Sequence, residues 1–537
     1  MSSRLDDARP KPAPPQEALP QEVRPQEVLP QQARAATPHL RPALHYTARD
    51  TWLNDPNGLV FYRGTYHLYY QNNPYGNEWG NMSWGHATST DLVHWTEQPV
   101  AIACDDDEDI FSGSIVVDHT NSSGLGSAEN PPLVAIYTSA FKPGSANEGT
   151  QAQSLAHSLD GGMTWHKFTG NPVLTRGSAN FRDPKVFSYP GPDGPCWVMA
   201  AVEAGEQKVV IYRSTDLRVW ELASEFGPAN AAGGEWECPD LFPLPVDGDP
   251  DRTKWVLVVN INPGAVAGGS GGQYFVGDFD GSTFTPDPSS LLDRPVYGTT
   301  GLGAGTDAGR LRECHWLDWG RDYYAAVSFS NVPDSRRLMI GWLNNWDYAN
   351  SLPTSPWRSG MSLVREVCLE TVDGRPVLVQ APILPPLDSV QSLAGRELHG
   401  AVPLPGSLQG KAQVIDAEIL PGASDRCGFR LWEGADGGAA VLGYDRAAGV
   451  LTLDRTAVGD TSFHPAFASV ESAPVPLEDG VLTLRIVVDH CSVEVFAQGG
   501  KAVLTDLVFP GPANNGASVF AEGGTAILRK LAVHTAG

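Results

Sequence analysis

A turn signature that recurs through the first half of the chain constrains the fold more than any other feature. It reads Ser89-Thr90-Asp91-Leu92-Val93-His94-Trp95, then Ser158-Leu159-Asp160-Gly161-Gly162-Met163-Thr164-Trp165, then Ser214-Thr215-Asp216-Leu217-Arg218-Val219-Trp220. A weaker copy is Gly277-Asp278-Phe279-Asp280-Gly281-Ser282-Thr283-Phe284. From Asp91 through Asp160 and Asp216 to Asp280 the intervals are 69, 56 and 64 residues. Between the copies lie short alternating or wholly apolar runs broken by Gly, Asn and Asp, without a helical period. The interval is somewhat long for one four-stranded blade, yet it points to a ring of β-sheets and not to alternating strands and helices.

The units also begin alike. In the first, Trp52-Leu53-Asn54-Asp55-Pro56-Asn57-Gly58-Leu59 runs into an expected strand at Leu59–Tyr62. That strand is expected to pair with Thr65–Gln71 across Arg63-Gly64, followed by Ser83–Thr88 and a fourth strand at His94-Trp95-Thr96. Later starts are Phe111-Ser112-Gly113-Ser114, Asp183-Pro184, Glu237-Cys238-Pro239 and Asp322-Tyr323-Tyr324. Five starts between residues 54 and 325 make a five-bladed β-propeller the simplest closed arrangement. The first strand of each blade would line the central channel, so the acidic residues at these starts would converge at one mouth.

The chain of 537 residues is long enough for two or three domains. Residues 41–380 are expected to form the propeller, and the Pro-rich passage Ala381–Leu387 marks a linker over 381–390. Residues 391–537 continue with strands alone and read as a β-sandwich. Residues 1–40 carry a decaying Pro-Gln-Glu repeat and are expected to be a disordered arm. That arm has no apolar h-region, so no signal peptide is visible, and the sequence alone suggests the cytoplasm unless another route exports the protein. Net charge −25 argues against nucleic acid and anionic substrates, and no apolar run is long enough to span a bilayer. Seven scattered cysteines without a C-x-x-C pair suit free, mostly buried thiols.

Three carboxylates meeting at one mouth, Asp55, Asp183 and Glu237, with Arg182 beside one of them, suit glycosidic bond cleavage. One carboxyl protonates the leaving oxygen while another, ionised, attacks or stabilises an oxocarbenium-like centre. Mutual repulsion raises one pKa and keeps an acid protonated near neutral pH. Glu237, between Trp236 and Cys238, has the more apolar setting and is the better acid; Asp55, among carboxamides, is the better nucleophile. The competing explanation is that acidic residues at strand starts merely cap turns.

Trp52–Gly58, Phe181-Arg182-Asp183-Pro184 and Glu237-Cys238-Pro239 resemble the three signature motifs of glycoside hydrolase family 32, the β-fructofuranosidases. The resemblance extends over residues 45–535 and includes Trp357–Glu366, where Val364 stands at a position often proline, and Asp489–Phe496. It implies an all-β chain, a five-bladed propeller followed by a β-sandwich, and a retaining mechanism without metal or cofactor. It implies Asp55 as nucleophile, Glu237 as general acid/base and Asp183 as transition-state stabiliser. Asn54, Gln71, Trp79, Phe111, Ser112 and Arg182 match positions that hold the terminal fructose, and Trp346 would close that pocket.

Glu78–His86 and Glu108–Ser114 are most similar to exo-acting inulinases and levanases, which implies release of fructose from fructans such as inulin and levan, and from sucrose. The alternatives are an invertase acting mainly on sucrose, a fructosyltransferase, or a propeller that only binds sugar. The run Asp105-Asp106-Asp107-Glu108-Asp109 lacks the spacing of a known Ca²⁺ loop and reads as solvated. The clusters Gly268–Gly272 and Gly301–Gly305 read as loops, since neither joins a strand to a helix. Nothing in the sequence specifies an oligomeric state.

Overall fold

The computed structural model describes residues 36–191, 194–297, 308–404 and 412–536. The arm expected over 1–40 lies outside the described residues as far as residue 35, and so does Gly301–Gly305. Residues 36–40 are ordered: the Thr37 amide donates to Ser355 O (3.0 Å), and Leu40 is buried against Trp357 and Phe509. An apolar anchor thus ends the arm earlier than its composition suggested.

The described chain is almost entirely β-structure, its helices confined to single turns. Strand Trp52–Tyr62 (β1) leads an antiparallel meander with Thr65–Asn73, Ser83–Ser89 and Thr96–Ile102. Glu108–Val117 (β2) leads one with Leu133–Phe141, Gln151–Ser158 and His166–Lys167. Phe181–Gly191 (β3) leads Gly194–Glu203, Lys208–Ser214 and Glu221–Phe226. Glu235–Val246 (β4) leads Asp249–Asn262, Gly271–Phe279 and Phe284–Pro286. Tyr324–Ser328 (β5) leads Leu338–Leu343, Arg365–Val372 and Arg375–Pro382, joined to the β4 meander through the parallel pair Val246–Leu369.

The repeated turn signature proves to be the joint before the outer strand. Asp91, Asp160, Asp216 and Asp280 each turn one carboxylate oxygen onto two successive backbone amides, 2.7–3.1 Å away. This use of residues 91–95 explains why the fourth strand begins at Thr96 and not at His94. The five leading strands touch in succession, and β5 returns to β1. Main-chain hydrogen bonds from Phe61 to Ser330 (3.0 Å) and from Ser330 to Leu59 (2.8 Å) seal that last contact.

All five leading strands share one irregularity. Each carries one residue more than its partner: between Leu53 and Pro56, Phe111 and Gly113, Arg182 and Lys185, Glu237 and Asp240, and Tyr324 and Val327. A bulge bends a strand and re-aims side chains that a regular pleat would send to alternate faces. Asp183, Cys238 and Ala325 occupy it with left-handed φ of +62°, +45° and +52°, a conformation costly for residues with a Cβ.

Beyond Pro382 only residues 383–386 separate the last strand from Leu387–Pro403 (β6), so most of the passage expected as a linker is paired strand. Gly516–Ala536 (β9) runs antiparallel to β6 along its whole length. Its second half pairs with Ala412–Leu420 (β7) and its first half with Arg426–Glu433 (β8), so one strand joins the two halves of a single ten-stranded sheet. Cys427, Leu431, Leu442, Leu484, Val493 and Leu528 fill the space between them.

Charged groups buried at the seam fasten this sheet to the ring. His45 donates through Nδ1 to Asp489 Oδ2 (2.8 Å) and through Nε2 to Glu494 Oε1 (2.9 Å), all three side chains fully buried. Burial alone would lower the His45 pKa, but the two carboxylates more than reverse it and hold it at about 9. Burial likewise opposes ionisation of Asp489 and Glu494, yet His45, and for Glu494 above all Arg365, bring both down to about 2.

A histidine raised on folding stabilises fully below its unfolded pKa of about 6.5, and that contribution disappears as pH rises through 9. The contribution is on the order of 3 kcal/mol. The denaturant midpoint should therefore fall between pH 6.5 and 9, and His45→Gln should flatten that decline. A wild-type midpoint that stays level across the window would remove His45 from this role.

Candidate active site

The three carboxylates reach one point from different positions relative to their bulges. Asp55 stands just before β1 resumes pairing at Pro56, Asp183 is the first bulged residue of β3, and Glu237 is the last paired residue before the bulge of β4. The similar-looking acidic starts are therefore not structurally equivalent. The fifth start does not join them. Asp322 is fully buried against Arg455 (2.6 Å), because it precedes its strand and faces the sandwich.

Asp55 is surrounded by donors. Asn54 Nδ2 donates to its Oδ1 (3.1 Å) and Ser112 Oγ to its Oδ2 (2.9 Å). Asn54 is itself held by Trp52 Nε1 (2.7 Å). Asp183 Oδ2 accepts the Cys238 amide (2.9 Å), which the left-handed turn at Cys238 aims at it. Cys238 Sγ lies 3.5 Å from Asp55 Oδ2 and 3.7 Å from Asp183 Oδ2, so its one proton can serve either carboxylate. Arg182 donates through Nε (3.2 Å) and Nη2 (3.0 Å) to Glu237 Oε1, and through Nη2 to Glu235 (2.5 Å). Its Nε is 4.0 Å from Asp183.

Burial pushes all three carboxyl pKa values up. Asp183 rises to about 7: burial dominates, Arg182 opposes it, and the charges of Glu237 and Asp55 add to it. Glu237 is also raised by burial, but Arg182 at hydrogen-bond distance restrains it. Its surroundings are thus less apolar than its neighbours Trp236 and Cys238 suggested. A proton bound among these three carboxyls belongs to the set and not to one residue.

The other expected site residues fall into two groups. Ser112, Asn54 and Arg182 bond directly to the carboxylates. Trp79, 46% exposed, and half-buried Phe111 meet edge to face with ring centroids 6.2 Å apart. Trp346 stacks on Trp52 (6.1 Å) and touches Trp342 (4.8 Å). Gln71 is buried and donates to Ile110 O (3.0 Å), which places it behind β2. The acidic run is occupied by lysines: Lys142 pairs with Asp109, and Lys167 with Asp105 and Glu108.

Sequence reasoning missed Tyr324, whose hydroxyl donates to Glu237 Oε2 from a fully buried position on β5. The two are equivalent in the structure, where Tyr324 precedes the bulge of its strand as Glu237 precedes its own, but the bulges leave no mark in the sequence. It also missed the Cys238 thiol, which burial and then the neighbouring carboxylates hold in its neutral form. Together these residues form a polar cluster able to deliver one proton, keep one carboxylate ionised and stabilise positive charge between them.

The profile described as Glycosyl hydrolases family 32 N-terminal domain matches residues 45–382, and its C-terminal counterpart matches 388–535. A levanase of Bacillus subtilis (strain 168) is 44% identical over 509 residues, covering 92% of this chain and 70% of that protein. An extracellular exo-inulinase of Aspergillus ficuum is 40% identical over 499 residues, covering 88% of this chain and 89% of its own length. The crystal structure of an exo-inulinase from Aspergillus awamori superposes with a TM-score of 0.84 at 38% identity, covering 93% of this chain and 98% of that one.

Tyr324 stabilises the ionised form of Glu237. Tyr324→Phe should therefore raise the Glu237 pKa further, since it removes one hydrogen bond to the charged form. The carboxyl stretch in difference infrared spectra, with Glu237→Gln as reference, would report it; an unchanged titration would deny Tyr324 this part.

Proposed function

The chain belongs to glycosyl hydrolase family 32, and from that premise we propose an exo-acting β-fructosidase that releases terminal fructose from fructans and from sucrose. The observation that carries this reading is the convergence of Asp55, Asp183 and Glu237, from three strands, on one buried network at a rim bearing Trp79 and Trp346. We read the five meanders as five blades of a propeller and the strands after residue 386 as a β-sandwich. This geometry supports a pocket for one sugar ring at the ring's centre, which suits attack at a chain end.

In the proposed mechanism Asp55 Oδ attacks the anomeric C2 of the terminal fructosyl unit while Glu237 gives its proton to the glycosidic oxygen. The C2–O bond breaks, the remainder of the chain leaves as an alcohol, and a fructosyl ester on Asp55 remains. Glu237, now ionised, takes a proton from water, whose oxygen attacks C2; the ester breaks and fructose departs. Asp183 binds fructose hydroxyls and stabilises the positive charge developing at C2. The donors around Asp55 favour its ionised form before attack, and Arg182 and Tyr324 keep Glu237 in place through both changes of charge.

Fructose as the only fructosyl product from levan, inulin and sucrose, with an equal amount of glucose from sucrose, would support hydrolysis. Longer oligosaccharides would identify a transferase, and no turnover would leave a sugar-binding protein. Asp55→Ala should reduce kcat below about a thousandth of wild type with the fold retained by circular dichroism, because no other group forms the ester. Glu237→Ala should lose most activity on sucrose and least on an activated aryl fructoside, whose leaving group needs no proton. Equal losses on both substrates would reassign the acid.

A further inference from the structure

Among the described residues, every side chain bonded to Asp55, Asp183 or Glu237 comes from the propeller, yet one sandwich side chain reaches the elements that frame them. We propose that Arg455 is a positioning residue for the sugar pocket, acting through Tyr348 on the loop that carries Trp346. The proposal rests on the reading of that pocket as the fructosyl site.

Arg455 is fully buried beneath the ring. Its Nη2 donates to the Tyr348 hydroxyl (2.9 Å), and its Nη1 to Asp322 Oδ2 (2.6 Å) and Leu507 O (2.9 Å). Its Nε donates to Phe467 O (2.9 Å), so it is tethered to the sandwich as well. The Tyr348 hydroxyl donates in turn to Asp322 Oδ1 (2.5 Å), closing a three-residue cycle. A lysine could not do this, since one ammonium lacks the planar spread of donors that reaches all these acceptors.

Both propeller members of the cycle stand two residues from the site. Upstream of Tyr348, Trp346 stacks on Trp52, whose indole holds Asn54, which donates to Asp55. Downstream, Asn350 Oδ1 accepts the Trp79 amide (3.2 Å). Asp322 precedes Tyr324, the donor to Glu237. The loop's near side is pinned by Asn345, whose Nδ2 donates to Arg321 O (2.7 Å), Gly268 O and Ser270 O. Ser270 Oγ also accepts the Trp346 amide (3.2 Å), and Arg321 pairs with Asp347 (2.5 Å); the far side of the loop is held by the hydroxyl of Tyr348. A shift there would move the Trp346 indole, expected to close over the sugar, without displacing a carboxylate.

Asp506, 4.0 Å from Arg455, and Glu471 also lie in its field. Removing the guanidinium outright would leave Asp322 unpaired in the interior, so Arg455→Met is expected to fail to fold. Tyr348→Phe deletes one hydroxyl and tests the proposal directly, with Arg455→Lys as a second variant. Both should raise KM for sucrose and levan about three- to tenfold with kcat within about twofold of wild type. In a Trp346→Ala background Tyr348→Phe should add no further rise, since its effect passes through that indole. A fall in melting temperature with KM unchanged, or effects on KM that simply multiply, would show a structural role only and overturn the proposal. Wild-type protein that releases no fructose would overturn the fructosyl reading itself, a failure visible before any variant is made.

Discussion

Asp55, Asp183 and Glu237 share one buried space in which Arg182 is the cation at hand, and like charges so placed repel each other strongly. Left to itself, a flexible chain would splay them into solvent. Holding them together requires a frame whose own strength exceeds the repulsion, and the ring of sheets is such a frame. Each leading strand is hydrogen-bonded on one edge to its meander and packed on both faces against its neighbours. The strain lies where the charges are, in the left-handed residues Asp183 and Cys238, each costing about 1–3 kcal/mol.

That strain has a chemical use. By turning left-handed, Cys238 sends its amide to Asp183 and its thiol to the space between Asp183 and Asp55. Neutral donors then moderate the repulsion without adding a second cation that would hold every carboxylate ionised. The proposed mechanism, which must both give a proton and keep a nucleophile charged, needs this intermediate condition. Arg182 close to all three would leave no acid; without Arg182 the set would bind protons too tightly to attack.

The sequence disclosed the periodic parts of this structure and concealed the irregular ones. Meanders and their joints were legible because Asp91, Asp160 and Asp216 act locally, on amides two to four residues away. The convergence of Asp55, Asp183 and Glu237 was legible because each begins a repeat. The bulges were not, since one extra residue in a strand leaves no mark on apolar alternation, and so Tyr324 went unnoticed and Asp322 was counted with the wrong set. Long-range ion pairs escape for a different reason. Nothing local distinguishes Arg455 from a surface arginine until the fold brings Asp322 to it across 133 residues.

Those ion pairs also bear on why a sandwich accompanies the ring. Buried salt bridges contribute little net stability compared with apolar packing of the same volume, but they tolerate few alternative arrangements. At this seam Arg365 bonds Asp318 (2.9 Å), Glu494 (2.7 Å) and Thr505 (2.7 Å), while Glu494 also accepts the Leu363 amide (2.8 Å) and faces His45. Arg455 and Asp322 repeat the device beneath the pocket. An apolar seam could slide by tenths of an ångström at small cost; charges with directed hydrogen bonds cannot. Since catalytic groups must be held within about 0.5 Å of productive geometry, the tolerance of the seam passes into the tolerance of the site. The sandwich therefore bears on the chemistry through the charges it buries.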